Sequence, residues 1–213
     1  MKDALNSLNE WLNELTSFSL PKWKNLPDLD LYMDQVVTYL ERELEPLSVD
    51  NKEKMITSSM VNNYVKGGLV NNPNQKKYSK EHLAYLLAIC SIKQILTISE
   101  ISSLFEFQKN NERQSNVIYE FFRTTQTEMI KSIANDSISK LVPILERGHE
   151  LTDDDASCFL HNFVFKLAIE AEVKKIIANK MLSLISNSSI DLKEKQEIEK
   201  FEREKQNNKK KKS

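Results

Sequence analysis

The sequence predicts a mostly α-helical chain with one small β element, and three features predict it. Only three glycines and five prolines interrupt 213 residues, too few for the many tight turns of an all-β fold. Apolar residues recur at helical spacing over long runs. Cap-type residues stand at the heads of those runs. Dense turn chemistry is confined to one stretch, Gly67-Gly68 and then Asn71-Asn72-Pro73-Asn74, so the β element is placed there.

In chain order, Leu5, Leu8, Leu12 and Leu15 with Trp11 mark an amphipathic helix over 1–17. A connector runs on to residue 27, holding Pro21, Pro27 and Trp23, the last read as a packing anchor. Asp28 or Asp30 can cap a helix running to Leu44, with Met33, Val36, Val37, Leu40 and Leu44 facing inward. Residues 46–54 read as a polar loop.

The stretch 57–105 organises the rest. With 57–67 as a helix, Ser58, Ser59, Asn62, Asn63 and Lys66 fall within an arc of about 140°, and Met60, Val61, Tyr64 and Val65 take the opposite side. The polar arc holds no carboxylate, unlike a surface helix that mixes Glu with Lys for solubility. Asn can pair bidentately with adenine, and Ser and Lys can reach phosphates; a polar face that simply meets water has the same composition. Gly67-Gly68 closes the helix, since glycine takes the left-handed conformation freely. A short basic hairpin comes next over 70–78, ending in Lys76-Lys77-Tyr78 with Tyr78 as apolar anchor.

Ser79 is placed to cap a helix over 80–95 that is apolar almost all round, with Glu81 near its positive end. Thr97 and Glu100 have capping-box spacing, with Leu96 and Ile101 as a hydrophobic staple, so a new helix starts at Ile98. Phe105, Phe107, Val117, Ile118, Phe121, Phe122, Met129, Ile130 and Ile133 then suggest one or two helices up to Asn135. This aromatic stripe reads as core, with a ligand pocket as the alternative. Residues 136–147 form another helical piece, bent or interrupted at Pro143 and stopped by Gly148. Thr152 to Asp155 has capping-box spacing, and its carboxylates suit a helix N-terminus better than a metal. Residues 156–186 are long and strongly apolar, either the centre of a C-terminal bundle or a dimer seam. The charged residues from Asp191 to the terminal lysines read as a disordered tail.

The order helix, Gly68-Leu69, Pro73, Lys76, Tyr78-Ser79, apolar helix, capped helix resembles the MerR-type winged helix-turn-helix. Val61, Tyr64, Gly68 and Leu69 match its recognition helix and that helix's end, Pro73, Lys76 and Tyr78 its wing, Leu83 and Leu86 the next helix, and Ile98, Glu100 and Ile101 the capped one. At positions 62 and 63 the family has Arg-Tyr where this chain has Asn62 and Asn63, and its wing is longer and carries a glycine. The run LPDLDLYMDQVVTYLERELEP, taken together with the stretch 57–105, also resembles a bacterial family known only as a domain of unknown function. The first resemblance implies a winged-helix fold that binds DNA; the second implies no established activity.

These readings give four segments: an N-terminal helix and connector over 1–27, a MerR-like winged helix over 28–109, a C-terminal helical module over 110–190, and the tail over 191–213. The function expected is transcriptional regulation through double-stranded DNA, by Ser58, Ser59, Asn62, Asn63, Lys66, Lys76 and Lys77. The alternative is a helical adaptor that binds protein instead. Net charge is −1, but residues 51–95 hold seven lysines against Glu53 and Glu81, a local excess of +5, which suits a nucleic-acid footprint. No phosphate-binding loop, dinucleotide glycine pattern or nucleophile elbow is present in the sequence, so no enzyme is expected, and no cofactor or metal. Cys90 and Cys158 both sit in apolar helical settings and read as buried thiols, with His161 beside Cys158 partly exposed. No signal peptide or membrane-length apolar run stands out, so a cytoplasmic protein is expected; a homodimer is expected because helix-turn-helix modules commonly pair and the helix after Thr152 offers a seam, with any small-molecule effector unknown.

Overall fold

The computed structural model describes residues 1–48, 54–110 and 114–210, the side chains of 106–110 and 186–210 excepted. The described residues hold seven α-helices, three single-turn 3-10 helices and a two-stranded sheet. They run α1 (Lys2–Ser17), β1 (Leu31–Tyr32), α2 (Met33–Leu44), α3 (Ser58–Lys66), β2 (Lys77–Tyr78), α4 (Lys80–Ile92), α5 (Ile98–Asn110), α6 (Ser115–Leu145) and α7 (Asp153–Lys210). Residues Met1–Phe165 form one compact unit and Lys166–Ser213 a second. The loop 49–53, with Lys52 and Glu53, lies outside the described residues, as do 111–113 and the side chain of Phe107.

The main core of the first unit is built around α4. Leu83, Leu86, Leu87 and Ile89 are fully buried against Val36, Leu40 and Leu44 of α2, Val61 and Tyr64 of α3, and Ile101 of α5. The apolar circumference of α4 therefore has a partner on each side. Its start uses a residue the sequence did not single out. The Ser79 N–H donates to His82 Nδ1 at 3.0 Å, so the imidazole takes the part a Glu or Gln has in a capping box. The helix stops at Ile92 and not at Ile95, where the Ile95 and Leu96 N–H groups both bond Ile92 O in a closing turn; the Lys93 ammonium donates to the Met55 carbonyl. Thr97 and Glu100 cap α5 reciprocally, at 2.7 Å and 3.3 Å.

The strand β1 is absent from the sequence reading, which starts a helix at Asp28 or Asp30. Leu31 pairs with Tyr78 and Tyr32 with Lys77 in an antiparallel ladder. Extended backbone at 31–32 holds α2 back to Met33, and Gln35 Oε1 accepts the Tyr32 N–H at 2.9 Å as its cap. The hairpin expected within 70–78 is thus completed by a strand from before α2.

Helix α6 is continuous where a break near Asn135 and a bend or interruption at Pro143 are expected. Ala134, Ser137 and Leu141 are buried along one side, on both sides of 135–136, so packing favours an unbroken helix there, and Asp136 pairs with Lys140 four residues on. Pro143 falls in the last turn, where only one intrahelical N–H is lost before the helix ends. Gly148, at φ +55°, lies just beyond.

A second core lies along the far half of α6. Leu5 and Leu12 of α1 pack with Ala134, Leu141, Leu151 and Ala156. The N-terminal helix is therefore joined to the helical module expected after residue 110, its leucine stripe buried against the far half of α6. The charged segment from 191, expected as a disordered tail, continues α7 to Lys210; its Glu, Lys and Gln are strong helix formers. Residues 211–213 lie outside the described residues.

The connector is strapped to the head of α6. Tyr119 donates its hydroxyl to the Pro21 carbonyl at 2.7 Å. The Trp23 N–H donates to Glu120 Oε1 at 2.6 Å, and Arg123 holds the other carboxylate oxygen at 2.8 Å. Trp23 packs at a tilt on Tyr119, with Lys80 over its face, which makes it the anchor the sequence predicts.

Helix α3 closes with a Schellman arrangement. Gly68 N–H bonds Val65 O at 3.0 Å and Leu69 N–H bonds Tyr64 O at 2.9 Å, with Gly68 at φ +72°. A Cβ at Gly68 would meet nothing within 4 Å, so the cost of adding one is the backbone's alone. Gly68→Ala should destabilise the protein by about 1–2 kcal/mol and Gly68→Asn by less, both read by denaturant unfolding. A second test concerns Glu120. Its partial burial acts to raise the carboxyl pKa, but the Trp23 N–H and Arg123 outweigh that and hold it below its ordinary 4.5. A carboxylate lowered on folding adds stability above its unfolded pKa and loses it as pH falls through the folded value. The stability gap between wild type and Glu120→Gln should therefore be widest at neutral pH and close below about pH 4.5, followed by denaturant midpoints across pH.

Candidate nucleic-acid interface

The cap and closure of α3 fix which way its side chains point. Thr57 Oγ1 accepts the Met60 N–H at 3.2 Å, and Val61 and Tyr64 are buried while Met60 and Val65 pack partly against the same core. Ser58, Ser59, Asn62, Asn63 and Lys66 all lie on the exposed side. The arc read from helical spacing is the arc that faces out. It offers two hydroxyls, two carboxamides and one ammonium, and no acid. A carboxamide has one acceptor and two donors, the set needed along the N6 and N7 edge of adenine.

The wing is a four-residue turn more than a hairpin. Asn74 and Lys77 exchange N–H to O=C bonds at 3.1 Å and 2.8 Å, and Gln75 and Lys76 between them sit at φ +49° and +64°. Two left-handed central residues make a type I′ turn, whose twist suits the flanking strands and whose usual occupants are Asn and Gly. A glutamine and a lysine there are held against their own preference. Lys76 is exposed at the apex.

Lys77 is placed differently from the other six candidate residues. It lies in β2, half-buried, with its ammonium 5.2 Å over the Tyr32 ring, so part of its charge is spent on that aromatic face. Two further lysines of the basic stretch are engaged within the fold. Lys80 pairs with Asp28, and Lys93 donates to Met55 O. The exposed lysines of 54–95 are thus Lys54, Lys66 and Lys76, fewer than the sequence count suggests.

The remaining candidate chemistries meet ordinary structural uses. The stripe read as core is only partly so: Phe105 is buried and Phe122 and Ile130 pack partly on the main core, but Val117, Phe121, Met129 and Ile133 are exposed; between Ala84, Tyr85, Phe105 and Phe122 lies a cavity of about 10 Å³, room for one water at most. Asp155 bonds the Arg147 guanidinium at 2.9 Å and forms the capping box with Thr152. Asp153 faces the N-terminal amine at 3.4 Å. Among the described residues no group of three or more His, Cys, Asp or Glu could hold a metal, and no helix is long and apolar enough to cross a membrane. Cys90 is buried, as read from sequence, but Cys158 is exposed. It lies on the side of α7 turned from Ala156 and Phe163, and His161 is occupied by the Ser157 carbonyl at 2.7 Å.

Comparison with curated proteins and with solved structures gives no match. A match to a family model does exist, and its limits follow the architecture: it takes in the strap, both strands, α2 to α5 and the head of α6, and leaves out α1 and α7. Residues 21–124 are a DUF1836 domain, a domain of unknown function.

Proposed function

We propose that the DUF1836 domain of this chain binds double-stranded DNA as a winged helix-turn-helix of MerR-like type, and that the protein is a transcriptional regulator. Helix α3 enters the major groove, Lys66 and Lys76 meet phosphates, and Asn62 or Asn63 reads a base edge. Lys77 contributes less, because Tyr32 shares its charge. The observation that carries the reading is the outward face of α3, five polar side chains without a carboxylate on a helix capped and closed at both ends. The order β1, α2, α3, turn, β2 supports it, since a helix pair followed by a short β-wing is the arrangement such domains use.

The protein acts as a homodimer in this reading, since helix-turn-helix modules pair to bind two half-sites. Helix α7 is its seam. Phe165, Ile169, Val173, Ile176 and Ile177 are each about half exposed or more, a length of apolar surface that a solvated helix does not carry alone. The same surface favours the second reading, a helical adaptor whose partner is another protein.

Two experiments separate these. In titrations of duplex DNA against salt, Lys66→Ala and Lys76→Gly should each weaken binding to every sequence and reduce the log–log slope by about one unit. Lys76→Gly also relieves the left-handed strain, so a loss of binding there cannot come from unfolding. In the same assay Asn62→Ala or Asn63→Ala should cost about 1–3 kcal/mol on a selected site and little on random DNA. An unchanged slope in the double lysine variant removes the DNA reading and leaves the adaptor. For the seam, sedimentation should give a dimer that Ile176→Glu dissociates; a wild-type monomer at tens of micromolar counts against α7 as the interface.

A further inference from the structure

Two helices carry exposed apolar stripes of the same pitch. On α6, Val117, Phe121, Met129 and Ile133 are each about half exposed or more, and Thr125, also exposed, completes a run at every fourth residue. On α7 the run is Phe165, Ile169, Val173, Ile177 and Met181, again about half exposed or more. Each run covers about 24 Å of helix at 1.5 Å per residue. Residues four apart form the ridges that interdigitate in the commonest class of helix crossing.

Helix α7 is poorly suited to pairing with its own copy. A two-stranded coiled coil needs apolar residues at the a and d positions of one heptad frame. Over 165–185 every frame puts Lys166, Glu170, Glu172, Lys174, Lys175 or Lys180 at an a or d position. Charge argues the same way. Within the arc of about 160° that each run sweeps, α7 carries Lys166, Lys180 and Glu170, an excess of +1, and α6 carries Glu128 alone. Placing α7 on α7 sets positive against positive, and placing α7 on α6 sets positive against negative.

We propose that in the homodimer the α7 run of each copy docks on the α6 run of the other, an exchange made twice about a two-fold axis. The inference rests on the dimer reading and gives the α7 seam its counterpart; it stands apart from DNA binding. Area supports the exchange. Each copy commits nine apolar side chains that are about half exposed, on the order of 800 Å² of surface, which is what each partner gives to a specific interface. The α7 run alone offers little more than half of that. The middle positions of the two runs, Thr125 and Val173, meet whichever way the helices point.

The test uses the full chain with the exposed Cys158 replaced by serine. Thr125→Cys and Val173→Cys are made in separate chains and mixed. Mild oxidation of the mixture should join the two variants by a disulfide, and either variant alone should give none. No bond in the mixture overturns the exchange, as does a bond closed within one chain of the double variant. Ready crosslinking of Val173→Cys alone returns the seam to α7 against itself and overturns it too. Sedimentation gives a second readout. Phe121→Glu and Ile177→Glu, both at exposed positions, should each raise the dimer dissociation constant about tenfold or more. Mixing these two variants should bring back a dimer weaker than wild type, because one of its two contacts joins unaltered faces. A dimer that survives Phe121→Glu but not Ile177→Glu overturns the exchange and leaves the seam. A wild-type monomer at tens of micromolar overturns both.

Discussion

The carbonyl of Tyr64 holds the candidate surface in place. It accepts from Leu69 at 2.9 Å and from Val70 at 3.2 Å, ending α3 and sending the chain back into the core in the same few residues. Because the Tyr64 ring is itself buried, the helix end is fixed from inside as well as along the backbone. The polar arc of α3 faces outward as a consequence, since rotation would expose Val61 and Tyr64 and bury two asparagines without partners. The wing turn inherits its position from the same closure, through Leu69 and Val70, both buried.

Helix α6 has a different task on each half of its length. Its head clamps the strap through Tyr119 and Glu120 and covers the main core with Phe122 and Ile130. Its far half receives α1 along Ala134 and Leu141. The family match ends at residue 124, short of this division: Ile130, beyond it, still packs on the main core, and only from Ala134 onward does the helix serve α1. A single unbroken helix thus joins the domain to a second, separate core.

Features set by local rules were legible in the sequence. The caps at Thr97 and Thr152, the glycine closure of α3, its inward and outward faces and the amphipathic α1 all come from a few neighbouring residues, and the structure has each of them; that Thr57 caps α3 where the sequence reading put it inside the helix appears only in the structure. What the sequence hid depends on partners far along the chain. Two residues are too short a strand to show alternation, so Leu31–Tyr32 was invisible until Tyr78 and Lys77 stood beside it. His82 is an unusual capping residue, and only its geometry reveals the role. Pro143 looks like a breaker until its place in a final turn is known. Counting lysines overstated the basic surface because charge in sequence says nothing of Asp28, Tyr32 or the Met55 carbonyl, which engage three of them. Cys158 was misjudged because an apolar stretch of helix does not announce which of its sides is covered.

The packing of α1 on α6 also bears on the order in which the chain can fold as it is made. Leu5 and Leu12 emerge early but find no apolar surface until Ala134, Leu141 and Ala156 have been made. Domains fold as units, those nearer the N-terminus first, as synthesis proceeds, yet here the first helix is among the last to dock. The DUF1836 core can close once the head of α6 is available, while α1 waits with its leucines uncovered for more than half the length of the chain. Closing so long a loop is a slow, late step. During synthesis the leucine face of α1 therefore stays uncovered until the far half of α6 has followed, although α1 lies outside the domain that carries the candidate site.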